Sequence, residues 1–485
     1  MKKIFCISAL FLVLLSCEDF YELNDNTKDP AVVSGESLFT NAQKNLVDQM
    51  VDSDVNLNIF RMIVQHWTET TYTDESNYDL FTRTIPDNIW DVLYRDVISD
   101  LTEAKRVIEE TEYSVAEDPA VKTNKLGITE ILLVYSYSIL VETFGDVPYS
   151  EAMDVENPTP AYDDALTIYT DLIVRLSAAL ASLNPDHPSF DLADNLYQGD
   201  VANWIKFGNS LKLRMGLLLA DVAPQVAQPA VEEAVAAGVI SSNDENANLV
   251  YLSADPNTNP LYSDIVASGR HDFVLANTLV DVMNSLEDPR RQYYFTLADT
   301  SSETGVEKLA YVGGVYGASN DYFAFSHVAD RIVVPTFEGT LFDFAETELL
   351  LAEAVERGYS VPGTAEEHYN AALMASLEYW GGTEEEAATF LMNPEIAYAT
   401  APGDWKQKLG LMTWLTLYNR GFEAWSAWRK FDYPQLVAPE DAMSDVPLRF
   451  TYPITEQTLN AESYNAAAEA IGGDDVSTKL FFDVF

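Results

Sequence analysis

The sequence predicts a mostly α-helical fold in which helical hairpins form a scaffold interrupted by one loop-rich insertion. Three observations carry this expectation. Apolar residues recur at three- and four-residue spacing along both halves of the chain. Neighbouring stretches of this kind are separated by short loops containing glycine or proline, the pattern of αα-hairpins. Residues from about 243 to 335 are instead dense in Gly, Asn and Pro, which marks loops and short strands.

At the N-terminus, Lys2 and Lys3 precede an apolar run from Ile4 to Leu15, then Ser16 and Cys17. A run this short falls below the roughly 20 residues that a membrane-spanning helix needs, and it reads as a signal peptide. The order Leu14-Leu15-Ser16-Cys17 is similar to the lipobox of bacterial lipoproteins. That similarity implies a signal over residues 1–16, acylation at Cys17 and a lipid anchor with tether over 17–36. Cys6 leaves with the signal, so no thiol remains to form a disulfide in the body. Glu18, Asp19 and Glu22 resemble the acidic surface-export cluster of Bacteroidetes lipoproteins. An outward-facing, lipid-anchored outer membrane location follows as an expectation.

Helical periodicity begins at Ser37, a predicted N-cap ahead of Leu38, Ala42, Leu46 and Met50, and is expected to continue through Val55–Thr70. Pro86 sits in a predicted first turn before Ile89, Trp90, Leu93, Val97 and Leu101. Ile128–Glu142 and Tyr162–Leu183 flank the turn Gly145-Asp-Val-Pro-Tyr149, and Leu341–Arg357 and Ala365–Trp380 flank Pro362-Gly363. This spacing is compatible with tetratricopeptide-like pairs, although the full repeat signature is absent. Asp404–Lys430 is a further helical region. Its Trp414, Tyr418, Phe422, Trp425 and Trp428 lie three or four apart and are expected in the core. The predicted organisation is a domain over 37–485, with a helical scaffold at about 37–242 and 336–430, a loop-rich face at about 243–335 and a C-terminal loop region at 431–485.

Composition limits function. The chain has 485 residues, 47% hydrophobic content and a formal net charge of −49, which describes a globular body that repels phosphate backbones. Nucleic acid is not an expected partner. No apolar run after the signal reaches about 18 residues, so no later membrane span is expected. The histidines are scattered, and no metal, P-loop, dinucleotide or serine-hydrolase motif is present. Loop carboxylates such as Asp244 and Glu245, with Asn248, allow a structural calcium ion, yet they lack EF-hand order and no other cofactor is implied.

A set of ordered motifs resembles the SusD/RagB family of Bacteroidetes nutrient-binding lipoproteins, in its SusD-like second branch. They are Trp90-Asp-Val-Leu-Tyr-Arg-Asp96, Glu142-Thr-Phe-Gly-Asp-Val-Pro-Tyr-Ser-Glu-Ala152, Trp204-Ile-Lys-Phe-Gly-Asn-Ser-Leu-Lys-Leu-Arg214, Ser268-Gly-Arg-His-Asp-Phe273, Asp288-Pro-Arg290, Gly421-Phe-Glu-Ala-Trp-Ser-Ala-Trp-Arg429 and Tyr452-Pro-Ile-Thr-Glu-Gln457. The resemblance implies four tetratricopeptide-like helix pairs and a loop-rich ligand face. It also implies a non-enzymatic role: binding an oligosaccharide or peptide and passing it to a SusC-type TonB-dependent transporter. A surface glycoside hydrolase is the alternative from another class, since so many carboxylates hide any catalytic pair.

Three stretches supply candidate ligand-binding residues. Trp67, Tyr72, Asn77 and Tyr78 interleave aromatic with polar groups, so their rings could stack on a sugar while amides and carboxylates bond its hydroxyls; local packing is the alternative. Tyr311, Tyr316, Asn320 and Tyr322 alternate with glycines, which suits a binding loop or a plain surface loop. Arg270 could grip hydroxyls or a peptide carboxylate, while Asp272 offers it an internal ion pair.

Overall fold

A computed structural model describes residues 33–111, 119–299 and 309–485. The signal, Cys17 and most of the tether lie outside the described residues. The scaffold is built from helices α1 (Gly35–Val51), α2 (Ser99–Glu110), α3 (Pro119–Phe144), α4 (Ala165–Ser182), α5 (Val201–Leu218), α6 (Pro224–Ala237), α7 (Phe344–Glu356), α8 (Ala365–Tyr379), α9 (Trp405–Thr416) and α10 (Gly421–Phe431). Successive helices pack in pairs, α1 with α2, α3 with α4, α5 with α6, α7 with α8 and α9 with α10. Each pair leans on the next through α2–α3, α4–α5, α5–α7 and α7–α9. The fold is the mostly α-helical hairpin scaffold that the sequence predicts.

Local chemistry sets the helix ends. Ser34, not Ser37, caps α1, accepting from the Ser37 amide at 3.2 Å. Reciprocal capping boxes start α8 (Thr364 with Glu367) and α9 (Asp404 with Gln407). Ala352, Ala354, Ala372 and Ala375 are buried where α7 and α8 meet, and their small side chains allow the close approach. Helices α3 and α4 are long and apolar enough to cross a membrane, contrary to the reading of the sequence. Here α3 is mostly buried in the core, packed against α2 and α4.

Two predicted helices are interrupted. Between Val55 and Thr70 only Phe60–Ile63 is helical; Gln65 turns left-handed at φ 57°, and Trp67–Glu69 becomes strand β1. Apolar spacing over so short a buried run does not separate helix from strand, and pairing with a distant strand decided it. Likewise Asp404–Lys430 is two helices, α9 and α10, because Asn419 at φ 69° breaks the run. Trp414, Tyr418, Phe422, Trp425 and Trp428 are all buried, as the core reading required.

Among the described residues, the sheets are four two-stranded antiparallel ribbons: β1 with β5 (Phe273–Leu275), β2 (Val147–Pro148) with β3 (Tyr162–Asp163), β4 (Ala247–Leu249) with β8 (Gly339–Phe342), and β6 (Ala298–Asp299) with β7 (Leu309–Ala310). The Gly145–Tyr149 turn itself contains β2, which pairs with β3. There Gly145 has φ 89° and the Asp146 carboxylate accepts from the Ala165 amide at 2.8 Å, locking the turn to the start of α4. The segment after α10, expected as loop, also carries the helices Ile454–Leu459 and Ala461–Ala470.

Candidate functional site

Three separate stretches converge on one face. Strand β1 pairs with β5 in the register Trp67 to Leu275, Thr68 to Val274 and Glu69 to Phe273. Beyond it, the Thr70 amide donates to the Asp272 carbonyl at 2.8 Å and the Thr70 hydroxyl to the His271 carbonyl at 2.6 Å. The loop 311–327 then folds across both strands. The amides of Leu275 and Asn320 donate to the carbonyls of Ser326 (3.0 Å) and Thr70 (2.9 Å), and the Gly314 amide donates to the Leu275 carbonyl at 2.8 Å. Glycine is needed for this approach: a Cβ on Gly313 would lie 2.4 Å from the Asn277 Cα, a distance no side chain tolerates.

Half of the predicted binding residues build this face from beneath. Trp67 is only 2% exposed, with the Arg61 guanidinium 5.0 Å from its ring centroid and Phe273 at 5.7 Å. Tyr78 is buried and its hydroxyl accepts from Gln65 Nε2 at 2.9 Å; Tyr316 is buried and donates to the Met62 carbonyl at 2.7 Å. Asn77 Nδ2 donates to the Gly317 carbonyl at 2.8 Å. Asn320 Nδ2 reaches the Glu69 carbonyl at 3.0 Å while its Oδ1 accepts from the Val315 amide at 2.8 Å. These five side chains are buried, although Tyr316 also lines a separate open pocket with Gln65, Asn277 and Val437, so the local-packing alternative describes them better than direct stacking and hydroxyl bonding. Interior packing and backbone carbonyls use them instead.

The other five lie at or near the surface. Tyr72 is 76% exposed on a left-handed backbone, and Tyr311 packs under the Arg291 guanidinium, 5.6 Å from its centroid. Arg270, Asp272 and Tyr322 line a single cleft of about 270 Å³, open to solvent, together with Asp264, His271 and His327. Arg270 Nε and Asp272 Oδ2 are 2.6 Å apart, the internal ion pair foreseen as the alternative to ligand contact.

The centre of the cleft is a stack of three flat rings. Tyr322 lies between His271, at 4.1 Å and 11°, and His327, at 3.8 Å and 8°. Phe323, 74% exposed, stands edge-on to both Tyr322 and His271 at 5.4 Å. Burial depresses the His327 pKa, so its ring is neutral at neutral pH; burial and then the nearby Asp330 raise that of Tyr322. Sequence reasoning passed over His271, Phe323 and His327, having weighed the histidines only as metal ligands. Their adjacency to Arg270, Asp272 and Tyr322 was the available signal. Among the described residues no group of three or more His, Cys, Asp or Glu is arranged to hold a metal.

Chemically, the arrangement can bind: exposed aromatic edges and faces suit the apolar side of a ring-shaped ligand, and flanking charged groups suit its hydroxyls. Solved structures match the whole architecture. A chitin-binding protein aligns at TM-score 0.80 and 25% identity, covering 93% of this chain and 100% of its own. A chitin-binding SusD homolog from Flavobacterium johnsoniae aligns at TM-score 0.75 and 23% identity, covering 92% of this chain and 97% of its own. A SusD homolog from Bacteroides uniformis aligns at TM-score 0.77 and 24% identity, covering 92% and 99%. No curated protein matches the sequence. The SusD-like family, described as starch-binding and associating with the outer membrane, matches residues 27–453. That span takes in every scaffold helix and the entire cleft, and so the chain belongs to the SusD-like family of nutrient-binding proteins and is not an enzyme.

Proposed function

We propose that this protein captures a nutrient oligosaccharide at the outer face of the outer membrane and delivers it to a SusC-type TonB-dependent transporter. On this reading Cys17 carries the lipid that holds it there, and two or more acyl chains give a stable anchor where one does not. The observation that carries the ligand assignment is the ring stack of His271, Tyr322 and His327 with Phe323 at its edge, in a cleft open enough for a chain-like ligand to lie across it. Two neighbours in structure are named as chitin-binding, which supports a polymer of amino sugars as the first ligand to try. Arg270 already holds Asp272, so a peptide carboxylate has no ready guanidinium in the cleft. The buried residues Trp67, Tyr78, Tyr316, Asn77 and Asn320 act by holding the face in shape, while Tyr72 and Tyr311 flank it.

A binding panel tests this. Full-length protein in detergent is titrated with oligomers of N-acetylglucosamine, glucose and xylose and with mixed peptides. Saturable binding of a glycan, weakened by Tyr322→Ala, is expected. Binding of peptides alone, or of nothing, would overturn the reading.

A further inference from the structure

The charge on the cleft wall narrows the ligand class, on the oligosaccharide-binding reading above. Asp264, Asp272 and Asp330 place three carboxylates on that wall and Arg270 a single guanidinium, which Asp272 already occupies. Asp264 accepts from the Ser53 hydroxyl at 3.0 Å; burial raises its pKa, and the same Arg270 guanidinium offsets part of that rise. Asp330 is exposed and makes no ion pair among the described residues, yet it is near enough to Tyr322 and His327 to shift both. His327, neutral at neutral pH, supplies no offsetting charge. Three carboxylates therefore share one guanidinium, Asp330 stands outside any ion pair among the described residues, and a chain of net charge −49 deepens the same potential.

We propose that the cleft selects amine-bearing sugar units, as in glucosamine-rich chains, over N-acetylated units and most strongly over uronate or sulfated ones, with Asp330 as the residue that reads the ammonium. A ring resting on Phe323 and His271 brings its substituents to the wall that Asp330 shares with Tyr322. An ammonium there gains an ion pair at an exposed site, whereas a uronate meets a wall with more carboxylates than guanidinium and is repelled.

Calorimetric titration of the full-length protein in detergent tests this at about pH 7, where His327 is neutral, exposed carboxylates are ionised and an amine with a pKa of about 7.7–8 is still mostly protonated. The ligands are hexamers of glucosamine and of N-acetylglucosamine, and oligogalacturonate. Glucosamine hexamer is expected to bind roughly threefold more tightly than its N-acetylated counterpart at low salt, the size of an exposed ion pair. Asp330→Asn should abolish that margin, as should about 0.5 M salt, which screens it. Glu109→Gln, an exposed site on α2, should leave it intact and so excludes attraction to the acidic surface at large. Equal affinities, a margin that survives Asp330→Asn, or tight binding of galacturonate each overturn the proposal. Binding of neutral glycans without any preference for the amine sinks this inference and spares the binding function, while binding of no glycan sinks the function itself.

Discussion

The scaffold core and the cleft both set arginine against carboxylate, in opposite surroundings. In the core, Arg420 donates to Glu346 at 2.6 Å, to Asp343 at 3.1 Å and to the Leu341 carbonyl at 3.0 Å. Arg214 reaches Glu346 at 3.4 Å, and the Tyr135 hydroxyl donates to Glu423 at 3.0 Å. This network ties α3, α5, α7 and α10 together through side chains that are almost wholly buried. In the cleft, Arg270 holds Asp272 at a shorter or similar distance, but its side chain is 67% exposed. Distance alone thus says little about what a pair contributes. A buried cation that loses its place strands several desolvated charges, whereas water replaces an exposed one at little cost.

Removing the core cation is the severest way to test that contrast. Arg420→Met should strip Asp343 of its guanidinium and leave Glu346 with Arg214 alone and Glu423 with the Tyr135 hydroxyl, lowering stability by about 3–5 kcal/mol, read by chemical denaturation. A loss under about 1 kcal/mol would show that water enters the network and that the contrast is false.

On the cleft side, Tyr322→Ala with Phe323→Ala should weaken glycan binding about tenfold, since each ring contact contributes of order 0.5–1.5 kcal/mol. Circular dichroism should be unchanged, because both rings sit at the surface of the fold. Unaltered affinity would place the ligand elsewhere.

Between the two regions lies Glu69 on β1, buried beside Glu75. Burial, followed by the neighbouring Glu75 carboxyl, pushes its pKa up to about 9, and Glu75 in turn is paired with Arg83. Glu69 is therefore a neutral acid in the folded protein and ionised in the unfolded chain above its usual range. Its contribution to stability is full below about pH 4.5 and declines as pH rises toward 9, at up to about 1.4 kcal/mol per unit. Glu69→Gln, which keeps the neutral shape, should raise the melting temperature at pH 8 and flatten the alkaline decline. An unchanged pH profile would mean that Glu69 is ionised in place.

The smallest effect is expected at the exposed pair itself. Arg270→Ala should change stability by less than about 0.5 kcal/mol, measured by the same denaturation. A larger loss would give the cleft pair the character of the core.

Much of the fold was legible before any coordinates. Apolar spacing located α1, α3, α4, α7 and α8 to within a few residues, apart from an early start to α3, and it assigned the tryptophan stripe of α9 and α10 to the core. Where the reading failed, a long-range partner had overruled local pattern: β5 drew Trp67–Glu69 into a strand, and Asn419 divided one apparent helix. The candidate site was legible as stretches rather than as groups. The segments 67–78, 268–273 and 311–322 do meet, yet Trp67, Tyr78 and Tyr316 are buried while His271, one residue away from chosen positions, lines the cleft and Phe323, next to Tyr322, stands exposed against its rings.

Composition, periodicity and ordered motifs by themselves determined a helical, acidic, thiol-free body of the SusD-like kind, because each is a property of neighbouring residues along the chain. Which aromatic rings remain available to a ligand was decided only in three dimensions. A ring's exposure depends on what the other strands and loops lay over it, and in this protein those covering segments lie more than two hundred residues away in sequence.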